Sequence, residues 1–152
     1  MGREPFVFTN LLVPTRTFDG AIVEMMDRPQ PVSMELLLDL ENLRQLNRYF
    51  GSYALVKHFL RRWCPPGGTL NAIDLCTGFG DIPRFIVDWC RANDVTAQIT
   101  AVDFQPATLE LAIERSRLYP EITFAVSDVL QFAPASPVDF VFCSLALHHF
   151  AD

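Results

Sequence analysis

The stretch Asn71–Arg84, reading NAIDLCTGFGDIPR, constrains this chain more than any other. Ala72, Ile73 and Leu75 make a short apolar run, as strands buried on both faces do. Gly78 and Gly80 supply positive φ and let a ligand approach the backbone closely. Asp81 is placed to cap a helix, and Pro83 falls near its first turn, where a missing N–H costs nothing. The segment therefore predicts a buried strand, a glycine turn and a helix start. Unpaired N–H groups at such a turn favour a polar or anionic ligand group.

The rest of the chain bounds what such a unit can be part of. With 152 residues it makes one domain, large enough to bury roughly two-thirds of its unfolded surface. Half of its residues are hydrophobic and 20% are charged, which describes a globular domain. A net charge of −6 argues against a nucleic-acid backbone as the main partner, because that needs a positive footprint. Cys64, Cys76, Cys90 and Cys143 form no C-x-x-C pair, so they read as reduced core or site-lining thiols, without metal or disulfide. No apolar run approaches the roughly 20 residues of a membrane span. Thr9, Asn10, Pro14 and Arg16 interrupt any signal-type run, so the expected location is cytoplasmic.

Residues 1–32 read as an irregular arm punctuated by Pro5, Pro14, Pro29 and Pro31. Its apolar residues, Phe6 to Phe18 among them, are expected to pack on the core or on another subunit rather than to form a flap over a site. Residues 33–68 read as two helices. Ser33 caps the first, whose inward face is Leu36, Leu40, Leu43 and Phe50, and Gly51 ends it. The second runs from Ser52 to Trp63 with Leu55, Val56, Phe59, Leu60 and Trp63 inward, before Pro65-Pro66-Gly67-Gly68 breaks the chain. Arg44, Asn47, Arg48 and Tyr49 are within reach of a site from these helices, although an ordinary solvated face explains any one of them.

Beyond the glycine turn the pattern alternates helix and strand to the end. Phe85, Ile86, Trp89 and Cys90 keep helical spacing to about Ala92. Gln98–Asp103 is a second strand ending in an acid, about 25 residues past Gly78. That is near the spacing at which a carboxylate meets ribose hydroxyls, and it is also compatible with capping the next helix, Ala107–Leu118. Phe104 is placed to lie against an adenine face. Glu121–Val126 is the third strand, followed by Asp128 and Val129; Val138–Leu147 holds the fourth and the segment leaving it, with His148-His149-Phe150 behind. His148 and His149 are the candidates for a base working near neutral pH, with a structural role as the alternative.

Two ligand classes use a strand, glycine turn and helix. A dinucleotide site requires G-x-G-x-x-G, and the third glycine is absent here, where Pro83 stands. The stretch resembles instead motif I of class I S-adenosylmethionine (SAM)-dependent methyltransferases, D-x-G-x-G-x-G. Asp74 matches its acid, Gly78 and Gly80 its last two glycines, and Cys76 stands at the first. The resemblance extends over residues 71–150, and the tail after the fourth strand is similar to motif IV of small-molecule enzymes. It does not resemble the Asn/Asp-Pro-Pro-aromatic motif of enzymes acting on bases. The leading helices look like those of bacterial relatives of the ubiquinone/menaquinone C-methyltransferase group.

The resemblance implies an α/β, Rossmann-like fold in which residues 69–152 form the SAM-binding half. N-terminal lid helices (33–68) would precede a mainly parallel sheet of order 3-2-1-4. It assigns the methionine end of SAM to Asp74, Gly78 and Gly80, with Cys76 and Thr77 in the same turn. It assigns ribose to Asp103 beside Phe104, and adenine to Asp128 and Val129, with Ser144 completing the set. The expected reaction is methyl transfer to a small-molecule O, N or C acceptor, releasing S-adenosylhomocysteine. A non-catalytic scaffold on the same fold and a nicotinamide-dependent oxidoreductase are the alternatives. The family's sheet has seven strands and four are countable here, so a poorly active short form is expected. Its fourth strand would then be an apolar edge, paired in a homodimer or covered by the arm.

Overall fold

The computed structural model describes residues 28–147 and 150. Its elements are α1 (Met34–Tyr49), α2 (Ser52–Trp63), β1 (Thr69–Leu75), α3 (Asp81–Ala92), β2 (Thr96–Asp103), α4 (Pro106–Arg115), β3 (Ile122–Val126) and β4 (Phe140–Cys143). The four strands form one sheet in the order β3-β2-β1-β4. Every pairing is parallel, with Leu75 level with Val102 on one side and Cys143 on the other. The expected α/β architecture and strand order are therefore present. Ala72, Ile73 and Asp74 are consecutive and all buried, as a central strand covered on both faces requires. No helix among the described residues is long and apolar enough to cross a membrane.

Two apolar clusters hold the elements together. In the larger, Val56 and Leu60 of α2 and Ile86, Val87 and Cys90 of α3 pack with Leu70, Ala72 and Ile99 of the sheet. In the smaller, Leu36 and Leu40 of α1 meet Phe79 of the glycine turn and Leu111 of α4. The second cluster decides where the site lies, because it seats α1 beside the turn that follows β1. All four cysteines are free thiols, two of them buried.

Local expectations hold at the caps of α1 and fail at some faces. Ser33 caps α1, its hydroxyl accepting from Leu36 N at 3.1 Å, and Gly51 takes φ 100° between the two helices. Phe50 is not part of the inward face: it is the C-cap of α1 and 82% exposed. In α2, Val56 and Leu60 are buried, whereas Leu55 and Trp63 are 58% and 48% exposed. The helix carries two neighbouring apolar stripes, and α3 accepts the one that Val56 and Leu60 form. The other stripe stacks on itself, Phe59 on Trp63 with centroids 4.6 Å apart, and Trp63 on Phe140 at 5.2 Å. Helix α4 ends at Arg115 instead of Leu118, because Ser116 is drawn inward, where it accepts from Arg84 Nη1 at 3.0 Å.

Candidate functional site

The carboxyl ends of all four strands open into one pocket of about 490 Å³, within the usual range of about 300–1,000 Å³ for small-molecule sites. Parallel pairing makes this happen: Asp74 is the penultimate residue of β1, Asp103 ends β2, and the chain leaves β3 and β4 at the same end. Asp74, Cys76, Thr77 and Gly78 come from the turn after β1; Asp103 and Phe104 follow β2; Asp128 and Val129 follow β3; Ser144 follows β4. All nine line this pocket. Gly80 does not; it is the left-handed N-cap of α3, and a Cβ there would lie 3.3 Å from both Ala112 Cβ and Arg84 Nη1. His148 and His149 lie outside the described residues.

The turn is held by its own chain. Thr77 N donates to Val102 O, Gly78 N to an oxygen of Asp103, and Gly80 N to Thr77 O, each at 2.9 Å. These three N–H groups are therefore committed to the chain itself. Cys76, at the position of the motif's first glycine, takes φ 54°, a left-handed conformation that glycine adopts without cost. The thiol lies half-buried at the pocket wall, where burial first and then the Cys143 thiol push its pKa up to about 12. It stays protonated.

Asp103 is 7% exposed and accepts from Gly78 N through Oδ2 and from Gln105 N through Oδ1. Burial raises its pKa, while backbone bonds from Gln105, Gly78 and Phe104 oppose the rise. Asp74 is buried more deeply, and burial carries its carboxyl from the ordinary range up to about 7, against the lowering effect of the Thr77 hydroxyl, which donates to Oδ2 at 2.6 Å. Asp128 is exposed and accepts from Leu130 N and Gln131 Nε2.

Asp81 departs from its expected role. Its side chain makes no capping bond; it turns into the pocket wall and accepts from Asn47 Nδ2 at 3.0 Å and Tyr53 OH at 2.7 Å. Asn47, buried near the C-terminus of α1, also accepts from Ser144 Oγ at 3.0 Å, and Ser52 Oγ lies 3.2 Å from that hydroxyl. Both leading helices are thus tied to the site through polar contacts. Of the four α1 side chains considered from sequence, Asn47 lines the pocket; Arg44 pairs with Glu41, and Tyr49 is 72% exposed. Nothing local marks Asp81, whose partners are 28 and 34 residues away. Gln105 and Thr108, also in the wall, were legible by position, since they open the helix after Asp103.

The wall carries Asp74, Asp81, Asp103 and Asp128, and no Lys, Arg or His among the described residues. Such a wall favours cationic, hydroxyl and amino groups and opposes a pyrophosphate. SAM, with a sulfonium and an ammonium against one carboxylate, suits these acceptors better than a dinucleotide with its pyrophosphate.

Sheet order, glycine turn and strand-end acids together define the class I SAM-dependent methyltransferase fold. Residues 72–152, more than half of the chain, match the family model described as a methyltransferase domain, and the chain belongs to that family. It is 35% identical over 89 residues to the 2-phytyl-1,4-naphtoquinone methyltransferase of Thermosynechococcus vestitus, a match covering 56% of this chain and 37% of the relative. The chain thus spans well under half the length of that curated relative. Its fold is similar to that of a protein of Methanococcus maripaludis assigned as a SAM-dependent methyltransferase, with TM-score 0.58 at 15% identity over 82% of this chain and 57% of that one. It is also similar to a SAM-dependent methyltransferase from Aquifex aeolicus, with TM-score 0.56 at 18% identity over 75% and 59%. SAM, with S-adenosylhomocysteine as product, is the cofactor that membership of the family entails.

Proposed function

We propose that this chain binds SAM in the strand-end pocket and directs its methyl group to an apolar small-molecule acceptor. The observation that carries the reading is the acidic wall: four aspartates and no cation among the described lining residues. Asp103 would accept from the ribose hydroxyls with the lone pairs that Gly78 and Gln105 leave over, and Phe104 would flank the adenine. Asp128 would accept from the adenine amino group beside the Val129 backbone. When bound, SAM supplies a methyl group already activated on sulfonium sulfur. The chain's own part is to hold an acceptor nucleophile in line behind that carbon and to keep water out.

The acceptor side draws on Leu40 and Leu43 of α1 and on Leu145, Ala146 and Phe150 after β4, all apolar and all in the wall. The relative's name describes a phytylated naphthoquinone, and an apolar ring acceptor of this kind suits such a wall. His148 or His149 would take the proton where the acceptor is not already ionised. Helices α1 and α2 would act as the lid, since Asn47 and Ser52 reach the site from them. The protein is proposed to work in the cytoplasm. Calorimetric titration with SAM, S-adenosylhomocysteine and NAD tests the reading. Binding of the first two without NAD is expected; NAD binding with no SAM binding would reject it.

We further propose that the 152-residue chain self-associates through β4. Among the described residues this strand pairs on one side only, with β1, and Val141, Leu145 and Leu147 near it are 57%, 47% and 72% exposed.

A further inference from the structure

Asp81 is the first residue of α3, 8% exposed, and part of the pocket wall. Asn47 Nδ2 and Tyr53 OH both donate to Oδ2. Oδ1 accepts no hydrogen bond from a described side chain, and no fully buried polar side-chain atom among the described residues is without a partner. Oδ1 therefore keeps some accessible surface, on a residue that lines the pocket. Tyr53 remains a donor throughout the working pH range, because burial and the carboxylate beside it raise its pKa. Two donors from two helices thus lock the carboxylate and leave its second oxygen without a protein donor. A carboxylate so enclosed calls for a charged or polar donor.

The order of the sheet says which donor. The pocket runs from Asp128 after β3, past Asp103 after β2 and the glycine turn after β1, to Ser144 after β4. A nucleoside held by Asp128 and Asp103 occupies the β3–β2 side. The amino-acid end of the same molecule then reaches the β1–β4 side, where Asp81, Asn47 and Ser144 meet. Asp74 is less accessible, 2% exposed with Oδ2 engaged by Thr77. We infer that Asp81 Oδ1 is the receptor for a primary ammonium group, that of the cofactor's amino-acid end. Asn47 and Tyr53 are positioning residues that act through it. The inference rests on the SAM reading above.

The test compares S-adenosylhomocysteine with 5′-methylthioadenosine, which keeps the nucleoside and lacks the amino-acid end. Calorimetry is run on the full chain and on its Asp81→Asn variant, whose oxygen still accepts from Asn47 and Tyr53. Asp81→Asn is expected to weaken S-adenosylhomocysteine roughly 10- to 100-fold and to leave methylthioadenosine within about twofold, which also shows an intact nucleoside site. Tyr53→Phe should produce a smaller loss with the same selectivity. Unchanged S-adenosylhomocysteine affinity in Asp81→Asn overturns the inference and leaves an amine on the acceptor as the source of such chemistry. Equal losses for both ligands overturn it too, making Asp81 a structural support. A wild-type chain that binds neither ligand rejects the SAM reading itself.

Discussion

Asp74 shows how burial sets the protonation of a residue in the pocket wall. It sits mid-sheet, 2% exposed, with Asp81 and Asp103 adding to the burial that lifts its carboxyl to about 7. The unfolded chain loses that proton near pH 4. Between about pH 4 and 7 the folded state therefore holds a proton that the unfolded state has released, and stability falls as pH rises through this window, levelling above 7. Asp103 shifts in the same direction and adds to the slope. Asp74→Asn keeps an acceptor for Thr77 and cannot titrate. It should flatten the pH dependence of the urea midpoint and exceed wild type by about 1–3 kcal/mol at pH 8. An unchanged slope would mean that Asp74 is ionised throughout. The motif acid was legible from its place after Ala72 and Ile73; its protonation was not, because burial is a property of the packed sheet.

At the scale of elements, the caps of α1 and the alternation of strands and helices were readable and helix faces were not. Ser33, Gly51 and Pro106 act through their own backbone or the next turn, so sequence neighbours decide them. Helix α2 offers Leu55, Phe59 and Trp63 on one stripe and Val56 and Leu60 on the next, and only the position of α3 chooses between them. The consequence is measurable in thermal or urea unfolding. Leu60→Ala should cost about 2–5 kcal/mol, as buried truncations do, and Leu55→Ala less than about 0.5 kcal/mol. Comparable losses at the two positions would place Leu55 in the core. The same logic explains Asp81, read as a cap from its position after Gly80, yet claimed by Asn47 and Tyr53 once α1 and α2 dock.

For the whole molecule, the open side of β4 bears on assembly. Asp139 closes the start of its pairing with β1, donating N–H to Asn71 O at 2.8 Å and accepting from Asn71 N at 2.9 Å. Beyond it, Phe140–Cys143 carries no charge or proline to discourage a further strand. Sedimentation equilibrium of the 152-residue chain should give a dimer at micromolar concentration, and Val141→Lys should shift it toward monomer. A monodisperse wild-type monomer would remove the proposed contact.

The features the sequence determined by itself are those set by short-range rules. The alternation of strands and helices, the glycine turn, and the acids at the ends of β1 and β2 all follow from residue type and spacing. Tertiary structure decided what depends on contacts between distant segments. It bound the Gly78 N–H to Asp103, chose the buried stripe of α2, and brought Asn47 and Tyr53 to Asp81 and Ser144 to Asn47. A side chain's burial and its partners belong to the packed arrangement, and periodicity along one element cannot specify which neighbour will arrive to meet it.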